Sequence, residues 1–331
     1  KKDAMNEVET VLLNELKEAD YDSLIRYRVR KILMICSNYD AFILEEDGQI
    51  ESQIYREYID LNLSSPPKFL WVTTSEEARR ILNDSDDIDM VISMFNMGDR
   101  DVFSLASSLK KEGRMIPFVL LTHFSKEVYR RLSLQDTSGI DYMFSWHGNA
   151  DLIVAIIKLF EDRINAEHDI NEVGVQAILL VEDSVRYYST YLPELYKLIL
   201  KQSAEFLKET LNEQQRKGRK RSRPKILLAT NLDDAMIFYE KYKNNLLGVI
   251  SDVGFVRHKE DSPDKEQLDA GIELVRYIRK DDPLMPVLLQ SSQDAMSAVA
   301  QELGVGFIRK WSKTLMIQLG EYIKEEFGFG D

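Results

Sequence analysis

The feature that most constrains the fold of this chain is an order of short apolar runs that occurs twice. The run IDMVISM in the first half has its counterpart in LLGVISD, PFVLLT in PVLLQS, and GIDYMFSW in GVGFIRKW. Three matching segments in the same order are not expected by chance, and such self-similarity indicates an internal duplication. The sequence therefore predicts two units of one fold.

Within the first repeat, apolar runs alternate with segments whose apolar residues recur at helical spacing. The predicted strands are 31–35, 69–72, 90–94, 117–122 and 140–144. The predicted helices are 50–61, 76–82, 102–111 and 151–164. Strands that alternate with helices in this way predict a parallel sheet with helices on both faces.

The second repeat follows the same order. Its predicted strands are 177–181, 226–229, 246–251, 286–291 and 305–309. Its predicted helices are a long one near 187–215, then 232–242, 271–279 and a last helix. We expect Pro193 to kink the long helix or to reset its start, and Ser312 to cap the last one.

The predicted fold class is α/β, with two doubly wound, five-stranded parallel sheets in tandem. A helical extension at 1–29 carries an apolar stripe that we expect to pack on the body or on a partner. That stripe consists of Val8, Leu12, Leu13 and Leu16. We place the first domain at 30–165, a polar linker at 166–174 and the second domain at 175–331.

Composition limits the possible functions. The net charge of −13 argues against non-specific binding of nucleic acid by the 331-residue body. Cys36 is the one cysteine, so an internal disulfide is excluded and a reducing cytoplasm is the expected location. No apolar run approaches the ~20 residues of a membrane span, and we expect no membrane partner. We interpret the start at Lys1 and the end in GFGD as a fragment of a longer protein.

Four strand ends of the second repeat carry groups that suit phosphoryl chemistry. Glu182 and Asp183 follow the first strand, Asp252 the third, Ser291 the fourth and Lys310 the fifth. The carboxyl ends of parallel strands lie at one edge of a sheet, so these side chains are expected to converge. Three carboxylates suit Mg²⁺, and a carboxylate can form an acyl phosphate, which makes Asp252 the natural nucleophile. For the acid pair alone, a solvated strand end is the competing interpretation.

This set resembles the receiver domain of bacterial response regulators, which has a flavodoxin-like fold. In that family an acidic pair follows the first strand and a phosphoaccepting Asp follows the third. The resemblance implies that Asp252 accepts a phosphoryl group from a histidine kinase or a small phosphodonor. It also implies that Glu182, Asp183 and Asp252 hold Mg²⁺, together with the backbone carbonyl of Gly254.

The same resemblance, which covers nearly all of 30–331, assigns roles to three further residues. Lys310 would pair with the phosphoryl group, Ser291 would hydrogen-bond it, and Phe307 would be the switch aromatic. Two departures are Trp311, where the family has Pro, and a long loop at 255–270 after the nucleophile. The loop is either a disordered polar insertion or a segment that shields the site. Its candidate polar residues are His258, Glu260, Asp261 and Asp264.

The first repeat lacks every charged member of this set. Its matching positions are Cys36, Ser37, Met94, Thr122 and Ser145. Since a thioether cannot accept a phosphoryl group, we interpret this repeat as a degenerate pseudo-receiver that mediates interactions. Cys36 is expected to be a small apolar residue rather than a reactive thiol. Three acids near these positions do not have the spacing from the strand ends that the set requires, and we assign them to surface loops: Asp40, Asp99 and Asp101.

A basic run at 216–225 is interpreted as a solvated turn, with contact to nucleic acid or an acidic partner as the less favoured hypothesis.

The expected function is that of a regulatory region in signal transduction. The second receiver is expected to contact either the first receiver of the same chain or a second copy in a homodimer. The long first helix, the segment 35–48 and the terminal EEFGFGD resemble the amino-terminal region of phosphoenolpyruvate synthase-like proteins, in which paired receivers precede the enzyme portion. This resemblance implies a downstream enzyme domain. The alternatives are a scaffold without phosphotransfer and, ranked last, a Mg²⁺-dependent phosphatase.

Overall fold

The structure, a computed structural model, describes residues 25–37, 50–61, 63, 65–95, 101–123, 126–132, 134–208 and 223–327. Several predictions lie outside these residues: the apolar stripe of the extension, Asp40 and Asp99, the long helix beyond 208, and most of the basic run. The described chain divides into two compact units. The first contains Arg28–Phe160 and Ser184–Glu194, and the second contains 25–27, Glu161–Asp183 and Leu195 onward.

The first unit is built on a five-stranded parallel sheet. Its strands are β1 (Lys31–Ile35), β2 (Lys68–Val72), β3 (Met90–Met94), β4 (Phe118–Thr122) and β5 (Tyr142–Ser145). They lie in the order β2-β1-β3-β4-β5, every pair parallel. The helices are α1 (Ile50–Asp60), α2 (Ser75–Asp84), α3 (Asp101–Lys111), α4 (Lys126–Leu132) and α5 (Ala150–Ala166). The short, charged α4 was not predicted, because it is too brief to show a helical period.

The outer edge of β5 is covered by the start of a long helix, α6 (Val185–Lys208), whose first turns belong to this unit. Tyr188 donates its hydroxyl hydrogen to the carbonyl of Met143, and Ser145 donates its backbone N–H to Ser189 Oγ at 2.8 Å. A sheet edge whose backbone groups are bonded in this way cannot pair with another strand.

The second unit repeats the architecture. Its strands are β6 (Ala177–Val181), β7 (Lys225–Ala229), β8 (Leu246–Asp252), β9 (Val287–Ser291) and β10 (Gly306–Arg309). Their order, β10-β9-β8-β6-β7, is the same topology as in the first unit, again all parallel. Its remaining α-helices are α7 (Leu232–Tyr242), α8 (Ala270–Asp281), α9 (Met296–Glu302) and α10 (Leu315–Glu325). The predicted fold class, two doubly wound α/β sheets in tandem, is therefore confirmed.

Two local expectations differ from the structure. Of the two outcomes expected for Pro193, a reset of the helix start is wrong, because α6 begins at Val185 and continues past the proline, whereas a kink stays a prediction. Ser312 does not cap α10, because the helix starts after Thr314, and the Ser312 hydroxyl instead accepts the N–H of Thr314 at 3.3 Å. None of the described helices combines the length and apolar character that crossing a membrane requires.

The segment interpreted as a linker is helical over most of its length. A π-helical stretch, Glu167–Glu172, continues directly from α5, and its Asp169 and Ile170 are fully buried. Asp169 is held by an ion pair of 2.8 Å with Lys225. A buried charge pair and a buried isoleucine explain why this polar segment folds instead of forming a loop.

The described end of the basic run is not a solvated turn. Arg223 and Lys225 are 4 % and 1 % exposed, and both pair with acids of the second unit. The prediction of a solvated turn is therefore wrong for these two residues, because their charges are neutralised in the interior. It stays untested for 216–222.

Candidate functional site

Two neighbouring strands bring the three predicted carboxylates together. Glu182 and Asp183 follow β6 directly, and Asp252 is the last residue of β8, its neighbour in the sheet. Both strands are buried and mostly apolar, so their first charged residues fall at the carboxyl edge of the sheet. One oxygen from each carboxylate lies within 4.8 Å of the others. Carboxylates this close suit a hard divalent cation.

Lys310 extends from the end of β10 into the same cluster. Its Nζ atom lies 2.5 Å from Oδ2 of Asp252 and 2.6 Å from Oε2 of Glu182. The lysine side chain is 9 % exposed and that of Glu182 is 1 % exposed, so the pairing is largely screened from water. One ammonium group thus faces three carboxylates, and negative charge is in excess.

Burial is the main cause of the raised pKa values of the two aspartates, and for Asp183 neighbouring negative charge adds to it. Burial, together with the charges of Asp252 and Glu266, raises the pKa of Asp183 to about 6, although the Val256 N–H and Lys310 oppose the shift. Burial also raises the pKa of Asp252, against the opposing effect of Lys310. Burial alone would lower the pKa of Lys310, but the two acids it contacts outweigh burial and raise it.

Two glycines near Asp252 leave room for close contacts, one with a backbone carbonyl and one with a side-chain carboxylate. A Cβ atom at Gly271, at the start of α8, would lie 2.1 Å from the carbonyl oxygen of Asp252. A Cβ atom at Gly254 would lie 2.5 Å from Oε1 of Glu266. The position of Gly271 against the predicted nucleophile was missed, since in the sequence it marks only a helix start.

Ser291 lies on β9, the neighbour of β8, and Phe307 lies on the edge strand β10. Ser291 ends β9, pairs in register with Arg309, and uses its hydroxyl to accept the N–H of Gln293 at 3.1 Å. Phe307 is half-buried on β10 and packs against the core of the unit. Their predicted roles toward a phosphoryl group stay predictions.

The loop after Asp252 is anchored at its beginning. The backbone carbonyls of Val256 and Arg257 accept the N–H groups of Leu232 and Asp233, which begin α7, at 3.0 and 3.1 Å. Val256 also donates its N–H to Oδ2 of Asp183 at 3.2 Å. These contacts favour the interpretation of the loop as a segment that shapes the site over that of a disordered insertion.

Side chains further along the loop extend this anchoring. Arg257 forms two hydrogen bonds, 2.7 and 2.8 Å long, with the carboxylate of Glu273 on α8. His258 Nδ1 lies 2.6 Å from the carboxylate of Asp233. Of the other candidate residues, Asp261 pairs with Lys265 at 3.3 Å. The loop therefore connects the starts of two helices that flank the carboxylates.

The matching positions of the first unit hold no charged group. Thr122 and Ser145 are neighbours in register at the ends of β4 and β5, and Met94 ends β3. The Ser145 hydroxyl lies 3.2 Å from Nε2 of His147. Cys36 is buried, as expected for a small apolar residue, and Ser37 follows it. Within the described residues, the three-acid cluster with cation-binding spacing is found in the second unit.

No protein-family model and no curated protein matches this chain. Among solved structures, it is similar to a two-component system response regulator/GGDEF domain protein, with 15% identity over 89% of this chain and 98% of the other, at a TM-score of 0.35. A second response regulator/GGDEF domain protein aligns with 14% identity over 88% of this chain and 95% of the other, at a TM-score of 0.34. The resemblance to phosphoenolpyruvate synthase-like proteins stays a prediction.

Proposed function

We propose that the second unit is a receiver that accepts a phosphoryl group on Asp252 and relays a conformational change. The observation that carries the proposal is the position of Lys310, whose Nζ lies between Asp252 and Glu182 at 2.5 and 2.6 Å, beside the third acid, Asp183. In the proposed receiver, this arrangement would supply a nucleophile, a cation site and a fixed positive charge in one cluster.

The residues have distinct roles in the proposed reaction. An oxygen of Asp252 attacks the phosphorus of a phosphohistidine or a small phosphodonor, and the bond to the donor breaks. Glu182, Asp183 and Asp252, with the carbonyl of Gly254, would hold Mg²⁺, which neutralises charge on the transferred group. Lys310 exchanges its contact with the Asp252 carboxylate for one with the new phosphoryl oxygens, and Ser291 hydrogen-bonds the same group.

The loss of that contact supplies the conformational signal. Lys310 is nine-tenths buried at the end of β10, and its backbone N–H is bonded to the carbonyl of Ser291 at 2.9 Å. A change at the Lys310 side chain therefore acts on β10 and on the half-buried Phe307 within that strand. Phosphorylation would thus shift the unit between two conformations of β10, and this shift would carry the local change in charge to the surface of the unit.

The first unit is proposed to be silent in phosphotransfer. Its equivalents of the acid pair, nucleophile and lysine carry no charge, so it could neither hold a divalent cation nor neutralise a phosphoryl group. We propose an interaction role for it, in a regulatory protein that is not itself an enzyme.

Intact-mass spectrometry after treatment with acetyl phosphate and Mg²⁺ tests the proposal. The expected result is one added phosphoryl group on the native chain and none on Asp252→Asn, a variant that keeps the size of the residue and one of its acceptor oxygens. Beryllofluoride binding in the presence of Mg²⁺ gives a second readout. If the native chain neither gains mass nor binds beryllofluoride, the receiver proposal is wrong.

An interaction scaffold without phosphotransfer is the second candidate. Trp311, next to Lys310, is 56% exposed and has a left-handed φ of 61°, which is unusual for a bulky residue. It lines a surface cleft with Ser292, Arg309, Lys310 and Ser312. An exposed, strained tryptophan favours a contact surface, and the same beryllofluoride experiment separates the two candidates.

A further inference from the structure

The loop after the predicted nucleophile is closed by a short antiparallel bridge. Phe255 donates its N–H to the carbonyl of Gln267 at 3.2 Å, and Gln267 donates its N–H to the carbonyl of Phe255 at 3.0 Å. The ring of Phe255 is fully buried in the core of the unit. We call Phe255–Gln267 the strap. Its end is therefore fixed relative to the strand that carries Asp252.

The residue just before Gln267 is Glu266, whose side chain lies against the turn that follows Asp252. Its Oε1 atom lies 2.5 Å from where a Cβ of residue 254 would be, so its carboxylate rests against the Cα of Gly254. Gly254 is two residues from Asp252 and is the residue whose carbonyl the receiver proposal assigns to the cation. The charge of Glu266 is also among the causes that raise the pKa of Asp183.

This placement brings a fourth negative charge toward three others. Among the described residues, no lysine or arginine forms an ion pair with Glu266, which is exposed. Lys310 compensates only part of this negative charge, since it pairs with Asp252 and Glu182. The remaining like charges repel one another, and a divalent cation would offset that repulsion. Mg²⁺ keeps several of its waters when it binds protein carboxylates, and those waters need acceptors.

We propose that Glu266 is an outer carboxylate of the divalent-cation site, held over Gly254 by the strap so that it accepts hydrogen bonds from cation-bound water and strengthens cation binding. This inference rests on the proposed receiver function. It assigns the long loop a role in tuning the site, and predicts tighter Mg²⁺ binding than the three inner carboxylates provide by themselves.

Calorimetric titration of the full chain with Mg²⁺ tests this role, with Glu266→Gln compared with Glu260→Gln. Both residues are exposed on the strap, and both substitutions remove one charge, so Glu260→Gln is the matched control. We expect Glu266→Gln to weaken Mg²⁺ binding about five- to tenfold at about 50 mM salt, and Glu260→Gln less than about twofold. The difference should shrink at about 300 mM salt, because the carboxylate is exposed.

A second variant tests the geometry. Gly254→Ala places a methyl group where the Glu266 carboxylate lies, so the carboxylate must move away. We expect a loss of Mg²⁺ affinity similar to that of Glu266→Gln, and little further loss when the two are combined. Additive losses in the double variant would contradict the contact.

The outcomes separate this inference from the receiver proposal. Native chain that binds Mg²⁺ and beryllofluoride, with Glu266→Gln indistinguishable from Glu260→Gln, overturns the role of Glu266 and leaves the receiver intact. Native chain that binds neither overturns both. Selective weakening in Glu266→Gln supports both.

Discussion

Arg223 donates through both terminal nitrogens to the two carboxylate oxygens of Asp162, at 3.0 and 2.8 Å, in the interior of the second unit. Tyr196 and the backbone N–H of Ile226 donate to the same carboxylate, at 2.9 and 3.0 Å. Burial alone would raise the pKa of Asp162, but the charges of Arg223 and Lys225 outweigh burial and lower it. The end of α5 and the start of β7 are thereby joined by a fully satisfied ion pair.

Removal of one partner from this pair should be costly. Arg223→Gln leaves the carboxylate of Asp162 buried without its bidentate partner, and we expect a loss of about 3 kcal/mol in the free energy of unfolding. Urea unfolding at neutral pH measures this loss. Arg309→Gln is the control, because its pair with Asp294 is exposed and should contribute less than about 1 kcal/mol. Equal effects of the two variants would contradict the structural role of Arg223.

The charge of Asp183 should destabilise the metal-free protein at neutral pH. Its pKa is raised to about 6 in the folded state from 3.8, so folded protein holds the proton more strongly and stability falls as pH rises through that interval. Asp183→Asn should therefore stabilise the metal-free chain by about 1–2 kcal/mol at pH above about 7, and by little below about pH 4.

Urea unfolding in the presence of a chelator, at both pH values, checks this sign. The asparagine retains an oxygen that can accept the Val256 N–H, so the comparison isolates the charge. A variant less stable than the native chain at neutral pH would show that the carboxylate is net favourable there.

Gly271 should be needed to position Asp252. A methyl group at this residue would lie 2.1 Å from the carbonyl oxygen of Asp252, so Gly271→Ala must displace either the end of β8 or the start of α8. We expect a loss of about 1–3 kcal/mol in stability and slower phosphoryl uptake from acetyl phosphate. Gly320→Ala is the control, because its nearest contact is a flexible leucine atom at 3.2 Å. Unchanged uptake in Gly271→Ala would show that the site tolerates this shift.

A carboxylate by itself should not restore phosphotransfer to the first unit. Met94→Asp, made in the Asp252→Asn background, supplies the missing nucleophile, yet the equivalents of the acid pair and of the lysine remain uncharged. We expect no added mass after treatment with acetyl phosphate and Mg²⁺, and reduced stability, because residue 94 is buried. Circular dichroism establishes that the variant is folded. One added phosphoryl group would show that the first unit retains a usable site.

Much of the fold follows from local pattern. The runs KILMI, MVISM and AILLV become β1, β3 and β6 at the predicted bounds, because a strand buried on both faces is a continuous apolar run. The convergence of Glu182, Asp183 and Asp252 follows from the same pattern, since each lies at a carboxyl strand end. The short helix Lys126–Leu132 escaped prediction because seven residues do not display a helical period.

The sequence by itself determined the succession of the strands and of the longer helices along the chain, the duplication, and which strand ends carry acids, since these depend on residues close together in the chain. Only the tertiary structure decided that Arg223 and Lys225 are buried ion-pair partners, that the strap is anchored, and that Glu266 rests against Gly254. These contacts depend on which distant segments meet. From the sequence alone, a charged side chain is expected to be exposed to solvent. It can be buried only when the fold brings an opposite charge close enough to pair with it.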